Sequence, residues 1–463
     1  MHDLRKQVLL ESGKTVSKKA KAKQAMGSAA SSKQNSPNAS RAGSRVASRQ
    51  ASDDEADYSD STTQFRYASA RLDLHYSVSD HSRSVNSFDE LRPEDIDAPE
   101  DAWVAQLNER MEHLIERKRS SVQGREESLS VLSHLLMAHY AQRHIRPKLN
   151  ELVPALVKCA KGGQSDNETA LSLKALSLLI ITEPSDSIYD AAIRPLKGII
   201  SSSESSSVMV AAIHTLGIAT FYGGVGLDET QEIMDFYLEI IESDGHSVEA
   251  GDDGNVVAAA LQEWGFLATQ FEGMEDTSEE PMEAFVEQLE SSDASVVIAA
   301  GENIALLFEK SWSELEEDEE PEHDEGDEDD EEEADPTAKG MVKRYTVWRQ
   351  ENQLKHTLSA LAQAHGKRIS RKDKKELHSS FADILNTVEH PTRGPRYSNA
   401  IDQYTNKAYG SRMVVHIGKN SMSIDKWWKL HRLQSLRRTL QGGFIVHYED
   451  NQVVFDSLPV MLD

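Results

Sequence analysis

A chain of 463 residues with a net charge of −28 and 38% apolar side chains has room for two or three domains but too little apolar material to fold along its whole length. Its single cysteine, Cys159, excludes an intrachain disulfide and a cysteine-rich zinc site and fits a reducing compartment, with a buried structural thiol as its expected role. No apolar run approaches the roughly 18 residues that span a bilayer, and Met1–Leu10 carries charges where a signal peptide needs an apolar segment, so the expectation is a soluble intracellular protein.

The charge is unevenly spread. Residues 1–50 hold eleven Lys/Arg against two acids and residues 340–463 hold twenty against eleven, so a strongly acidic middle lies between two basic ends. Local basic segments of this kind bind a phosphate backbone within a Debye length even when the whole molecule is acidic. Residues 1–100 are rich in Ser, Ala, Lys and Arg and poor in large apolar groups, a composition that cannot offset chain entropy and predicts a disordered tail. Arg41, Arg45 and Arg49 each precede a serine by three residues, which makes Ser44, Ser48 and Ser52 candidate phosphorylation sites; the bland alternative is a serine-rich solvated linker. Lys14, Lys18, Lys19, Lys21 and Lys23, interleaved with good helix formers, are candidate RNA contacts, with a nuclear transport signal or a solubilising tail as the competing readings.

From residue 101 to 312 the pattern becomes apolar at helical spacing. Leu135, Leu176, Leu216, Trp264 and Ile304 recur in the same helical phase at intervals of roughly 41, 40, 48 and 40 residues, the period of armadillo and HEAT repeats. A further helix between successive anchors is expected at Tyr189–Ile200 and Glu229–Ile241, and the polar clusters 164–167, 201–207, 252–255 and 291–293 each precede an apolar helix and offer N-caps. An irregular helical bundle is the competing architecture. Residues 313–340 contain an acidic linker, with seventeen carboxylates in the twenty-two positions from Glu314 to Asp335. It is expected to be disordered, a spacer or a shield for the basic ends.

Residues 341–390 form a helical extension: Met341–Ala364 is expected to be helix, then come the basic Lys367, Arg368, Arg371, Lys372, Lys374 and Lys375, also candidate RNA contacts, and a helix whose stripe Leu377, Phe381, Ile384, Leu385 and Val388 must pack on something before Pro391. Residues 410–463 read as a small α/β domain. Met413–Ile417 is a strand candidate, and Ile424–Leu440 a helix with Trp427, Leu430, Leu433, Leu436 and Leu440 on one side, ended by Gly442 and Gly443. Phe444–Tyr448 and Gln452–Phe455 have the form of a short hairpin.

The sequence holds no complete catalytic motif. Ser12, Gly13, Lys14 and Thr15 resemble the end of a phosphate-binding loop, but the required earlier glycine falls at Val8. His134, His139 and His144 are five apart, a rotation of about 140° per step on a helix, which points them away from a shared metal and suits surface or capping roles. No carboxylate stands with a histidine or nucleophile in a motif, so no enzyme activity, cofactor or small-molecule substrate is expected.

Three stretches resemble the interferon-related developmental regulator family: Val296–Glu309 (VVIAAGENIALLFE), similar to the end of that family's helical N-terminal domain; Lys374–Glu389 (KKELHSSFADILNTVE), similar to the linking helix; and the run from Ser423-Ile424-Asp425-Lys426-Trp427-Trp428 to Asp463, similar to its C-terminal domain. The resemblance implies an armadillo-like solenoid, no catalysis, and a regulatory role described in two ways, as ribosome binding with restraint of translation and as transcriptional co-regulation with chromatin-modifying complexes. Animal members carry a basic segment after the C-terminal domain, whereas here a basic segment stands at Lys14–Lys23. The expectation is a mainly α protein, an armadillo/HEAT-like helical-repeat solenoid followed by a small C-terminal α/β module, acting as a cytoplasmic scaffold on ribosomes or rRNA. Protein partners are expected on the solenoid surface, and the nuclear co-regulator is the alternative.

Overall fold

The computed structural model describes residues 102–117, 120–315, 337–363, 371–401, 408–417 and 420–459. The expectations for the tail, for the lysines from Lys14 to Lys23, for Ser44, Ser48 and Ser52, for the body of the acidic run and for Lys367 and Arg368 lie outside the described residues.

The forty-residue period is a stack of helical hairpins. Helices α1 (Ala102–Glu116) and α2 (Val122–Ala138), α3 (Leu149–Lys161) and α4 (Asp166–Thr182), α5 (Asp186–Ser202) and α6 (Ser206–Tyr222), α7 (Leu227–Glu242) and α8 (Gly254–Ala268), and α9 (Glu279–Gln288) and α10 (Ala294–Lys310) pack pairwise, and each second helix packs on the second helix of the next pair. All five periodic anchors sit on second helices and are buried, Leu176, Leu216, Trp264 and Ile304 at no more than 1% exposure. The polar clusters expected to cap helices do so at α4, α8 and α10, where Ser165, Asp253 and Asp293 accept the N–H of Glu168, Asn255 and Ser295 at 3.0, 3.0 and 2.8 Å. Ser205 begins α6 without a side-chain cap.

The wide interval between Leu216 and Trp264 has a local cause. The α7–α8 connection holds an extra 3₁₀ turn, His246–Val248, entered through Gly245 at φ 83°, where a Cβ would collide with the carbonyl of Ala250.

The stack continues past the acidic run. Strands β1 (Trp312–Glu314) and β2 (Met341–Lys343) pair antiparallel, Trp312 opposite Lys343 and Glu314 opposite Met341, and so bring the two ends of that run together. Met341 therefore does not begin a helix as expected. Met341–Lys343 finds a strand partner in Trp312–Glu314, and helix α11 starts only at Glu351 (Glu351–Ala362). Helix α12 (Arg371–Glu389) pairs with α11 and packs on α10, burying the expected stripe of Leu377, Phe381, Ile384 and Val388 against Gly301, where any Cβ would meet Ile384 and Phe381.

Beyond α12 come two small antiparallel hairpins, β3 (Tyr397–Ile401) with β4 (Ala408–Ser411), and β5 (Val414–Ile417) with β6 (Asn420–Ser423). The second alternates cleanly, with Val415, Ile417 and Met422 inward and Val414, His416 and Ser421 outward. Helix α13 (Trp427–Leu440) buries the expected Trp427, Leu430, Leu433, Leu436 and Leu440. The hairpin expected after it is absent: Phe444–Asp450 is helix α14 and Gln452–Ser457 helix α15. Two apolar stretches flanking Glu449, Asp450 and Asn451 have the form of a hairpin, but α14 packs on α13 and α2 and α15 on α4, and His447 and Asn451 bond the last-turn carbonyls of Leu136 and Ile181 at 2.8 and 2.9 Å.

Ile304 lies at the centre of α10 with no exposure. Ile304→Asp buries a carboxylate without a partner and is expected to cost about 3–5 kcal/mol. Thermal or denaturant unfolding followed by helical circular dichroism measures it; an unchanged transition would place Ile304 outside the core.

Candidate functional site

In a free-standing stack the second helices would present one face to solvent. Here α13 lies across α4, α8 and α10, with α14 against α2 and α15 against α4, so the chain's own C-terminal segment covers that layer. Its contacts follow the C-terminal ends of successive second helices. Besides His447 on α2 and Asn451 on α4, Ser457 meets the Tyr222 hydroxyl of α6 at 3.0 Å. Arg432 donates to the carbonyl and hydroxyl of Thr269, just past α8, at 2.8 and 2.9 Å. At α10 the Glu309 carboxylate accepts the backbone N–H of Trp427 and Trp428, at 2.7 and 3.1 Å, and so caps the first turn of α13 from outside.

Under α13 runs a buried polar seam. Glu263 of α8 is fully buried and pairs with Arg438 of α13, and it accepts from His214 Nδ1 of α6 at 2.8 Å. Gly217 is required beside it, because a Cβ there would run into the carboxylate. Lys174 of α4 donates to the carbonyls of Arg438 and Thr439 at 3.0 and 2.5 Å, at the C-terminal end of α13, where a cation suits the helix dipole. Glu302 of α10 accepts from Gln434 at 3.2 Å. Arg432 lies over the rings of Trp428 and Phe221, at 4.9 and 5.1 Å.

Burial governs the ionisation of these groups. It pushes Lys174 down to about 7, with Arg438 adding to the effect. It pushes Glu302 up to about 7 against the Gln434 hydrogen bond, and it pulls His214 and His431 down to about 4. Both imidazoles are therefore neutral at pH 7. A second buried pair, Arg125 with Glu168 at 2.6 and 2.9 Å, joins α2 to α4 inside the repeats. Burial there works to raise the Glu168 carboxyl, but Arg125 and the Gln164 N–H overcome it and hold the group below its ordinary value.

None of these seam residues was singled out from the sequence. The available signal was one or two Glu in helices otherwise almost wholly apolar, GNVVAAALQEWGFLA and ASVVIAAGENIALLFEK. Of the candidate RNA contacts, Lys374 and Lys375 stand in the first turns of α12, half-buried and exposed; Arg371 and Lys372 fall on the same helix, their side chains outside the described residues. His139 and His144 pack on the Trp103 ring at 4.3 and 5.4 Å rather than converging with His134. Cys159 is a buried free thiol. Among the described residues no group of three His, Cys, Asp or Glu could hold a metal ion, and no helix is long and apolar enough to cross a membrane.

Stacked helical hairpins whose second-helix layer is sealed by the chain's own C-terminal helix define a helical-repeat protein. The polar groups at the seam join α13 to the second helices. The chain belongs to the interferon-related developmental regulator family, whose model matches residues 75–389, and is a regulatory protein of that family. It is 28% identical over 352 residues to an uncharacterised protein of Schizosaccharomyces pombe, covering 75% of this chain and 72% of that one. It is 26% identical over 405 residues to interferon-related developmental regulator 1 of Sus scrofa and 25% over 403 residues to that of Homo sapiens, each match covering 82% of this chain and 77% of the relative.

Arg438→Ala leaves the Glu263 carboxylate buried without its guanidinium and is expected to cost about 3–5 kcal/mol, with hydrogen exchange rising first across α13; exchange unchanged there would show the pair to be dispensable. His214 is held near 4 in the fold against 6.5 when unfolded, so the unfolded chain binds the extra proton and stability is lost as pH falls from 6.5 towards 4. His214→Asn removes this contribution, and isothermal denaturation across that window should show a shallower loss than in the parent protein.

Proposed function

We propose that this chain is a non-catalytic scaffold that associates with ribosomes and restrains translation, its basic segments lying on rRNA phosphates. The observation that carries the reading is the placement of Arg371, Lys372, Lys374 and Lys375 in the first turns of α12. Cations at a helix N-terminus add to the positive end of the macrodipole instead of cancelling it, which costs stability in the free protein and favours a bound polyanion. The basic ends flanking an acidic middle support the same reading, as does membership of a family of regulators rather than enzymes. Protein partners are assigned to the first-helix side of the stack, since α13 occupies the other. The cytoplasm is the proposed location. Nuclear co-regulation with chromatin-modifying complexes is the competing outcome of the test.

Replacing Lys14, Lys18, Lys19, Lys21 and Lys23 together by Ala is expected to lower ribosome co-sedimentation and flatten its salt dependence, by about one unit of slope or slightly less for each phosphate that a lysine no longer neutralises. Helical content and nuclear distribution should stay unchanged. Loss of nuclear signal with no change in the ribosome fraction would favour the nuclear role, and a parent protein that never sediments with ribosomes at low salt would overturn the proposal.

A further inference from the structure

Between α12 and α13 the chain reverses its acidic character. Residues 390–426 hold six Lys/Arg against two Asp, and one of these, Asp425, is paired with Lys429 at 2.6 Å. The β3–β4 hairpin in this stretch is the least buried strand pair described: Ile401 is 61% exposed and Tyr409 is 56% exposed. Large apolar surface left open on a short hairpin marks a contact surface.

Its tyrosines stand with arginines. The Arg393 guanidinium lies over the Tyr397 ring, 5.3 Å from its centre, and that of Arg412 over the Tyr409 ring at 5.9 Å. Strand pairing sets Tyr397 opposite Ser411, and the Arg412 N–H donates to the Arg396 carbonyl at 3.2 Å, so three arginines and two tyrosines gather on one hairpin and its entry turn. The base is rigid. Ser411 Oγ donates to the Ile424 carbonyl at 2.8 Å, the Ile424 N–H returns a bond to Met413 at 2.8 Å, and the inward face of β5–β6 is buried beneath.

We infer that this hairpin is a binding platform for single-stranded RNA, with Arg412 and Arg396 on backbone phosphates and Tyr409 stacking an unpaired base. The inference rests on the ribosome reading for its biological setting but concerns a different surface from the lysine segments. Its chemistry is that of sequence-tolerant single-strand binding, an exposed aromatic face for each base and guanidinium groups for the phosphates between them. A duplex keeps its bases stacked and cannot use Tyr409. An apolar protein partner would use the tyrosine but gain little from arginines, and an acidic one the reverse; both halves together fit a polymer that alternates flat rings with anions.

The test uses the full-length chain and a fluorescein-labelled oligouridine of about twelve nucleotides, read by fluorescence anisotropy beside a duplex RNA of equal length. Arg412→Glu is expected to weaken binding about tenfold or more and to reduce its salt slope; Tyr409→Ala should weaken it about fivefold or more, while Tyr409→Phe, which keeps the ring, stays within about twofold. Lys161→Glu, an equal charge change at an exposed position on α3, should also stay within about twofold. All of these positions are exposed, and thermal melts confirm that the variants fold. Equal binding of duplex and single strand, or variants indistinguishable from the parent protein, overturns the inference. Sedimentation separates this from the ribosome reading. A chain that binds oligouridine through Arg412 and Tyr409 yet never sediments with ribosomes keeps the platform and loses the ribosome. A chain that sediments with ribosomes while ignoring both variants in both assays keeps the ribosome and loses the platform.

Discussion

The rest of the structure depends on the need to cover the second helices on two sides. Helix α6, Ser206–Tyr222, contains no Asp, Glu, Lys or Arg, and α8 and α10 hold one or two acids each among apolar residues. A helix apolar all round cannot sit at a surface. The first helices, polar on one side, cover one flank, and α13 with α14 and α15 covers the other. Without that cover, the layer from α2 to α10 would expose a continuous apolar face of the kind that drives association.

An apolar stripe alone would let α13 slide by a turn along this layer, since Leu430, Leu433, Leu436 and Leu440 are nearly interchangeable. The polar contacts prevent it. A one-turn shift would separate Arg438 from Glu263, Gln434 from Glu302 and the α13 N-terminus from Glu309, leaving Glu263 with only the His214 imidazole and Glu302 and Glu309 without these partners. Breaking a buried pair costs about 3–5 kcal/mol even where forming it gained little. The seam therefore contributes register more than stability. The row of side chains on second-helix C-termini acts in the same direction, because each of Leu136, Ile181 and Thr269 offers its carbonyl to a single donor of the C-terminal segment.

The repeat architecture was legible because its determinants are local. A Leu or Trp every forty residues in one helical phase, and a Ser or Asp ahead of each apolar run, depend on neighbours within a few turns. The wide step at Trp264 was visible too, and an inserted turn with left-handed Gly245 explains it. What failed was nonlocal. Phe444–Tyr448 and Gln452–Phe455 read locally as a hairpin around a polar turn, whereas the helices they form dock on α13, α2 and α4 with bonds to residues some 270–311 positions earlier in the chain. Met341–Lys343 becomes a strand because Trp312–Glu314 waits beyond an acidic run. The seam carboxylates went unnoticed because a glutamate in an apolar helix names no partner; Arg438 lies 175 residues from Glu263. The all-round apolar character of α6, α8 and α10 is nonetheless plain in their sequences, and it requires a covering element.

That cover has a consequence for binding. A segment joined to the stack by its own chain competes for the second-helix layer at a high effective concentration, so an external ligand must exceed it in affinity by a wide margin to displace it. The long face that helical-repeat proteins commonly offer to partners is thus already occupied. The surfaces left uncovered are the polar side of the first helices, the N-terminal end of α12, and the hairpins that interrupt the path between α12 and α13. The last two carry Lys374, Lys375, Arg396 and Arg412 in a chain whose net charge is −28. In a molecule this acidic, a general attraction for nucleic acid is absent beyond a Debye length of about 8 Å. Under the proposed reading a polyanion is held at close range by local cations such as these, so the geometry of each one counts for more than the total charge.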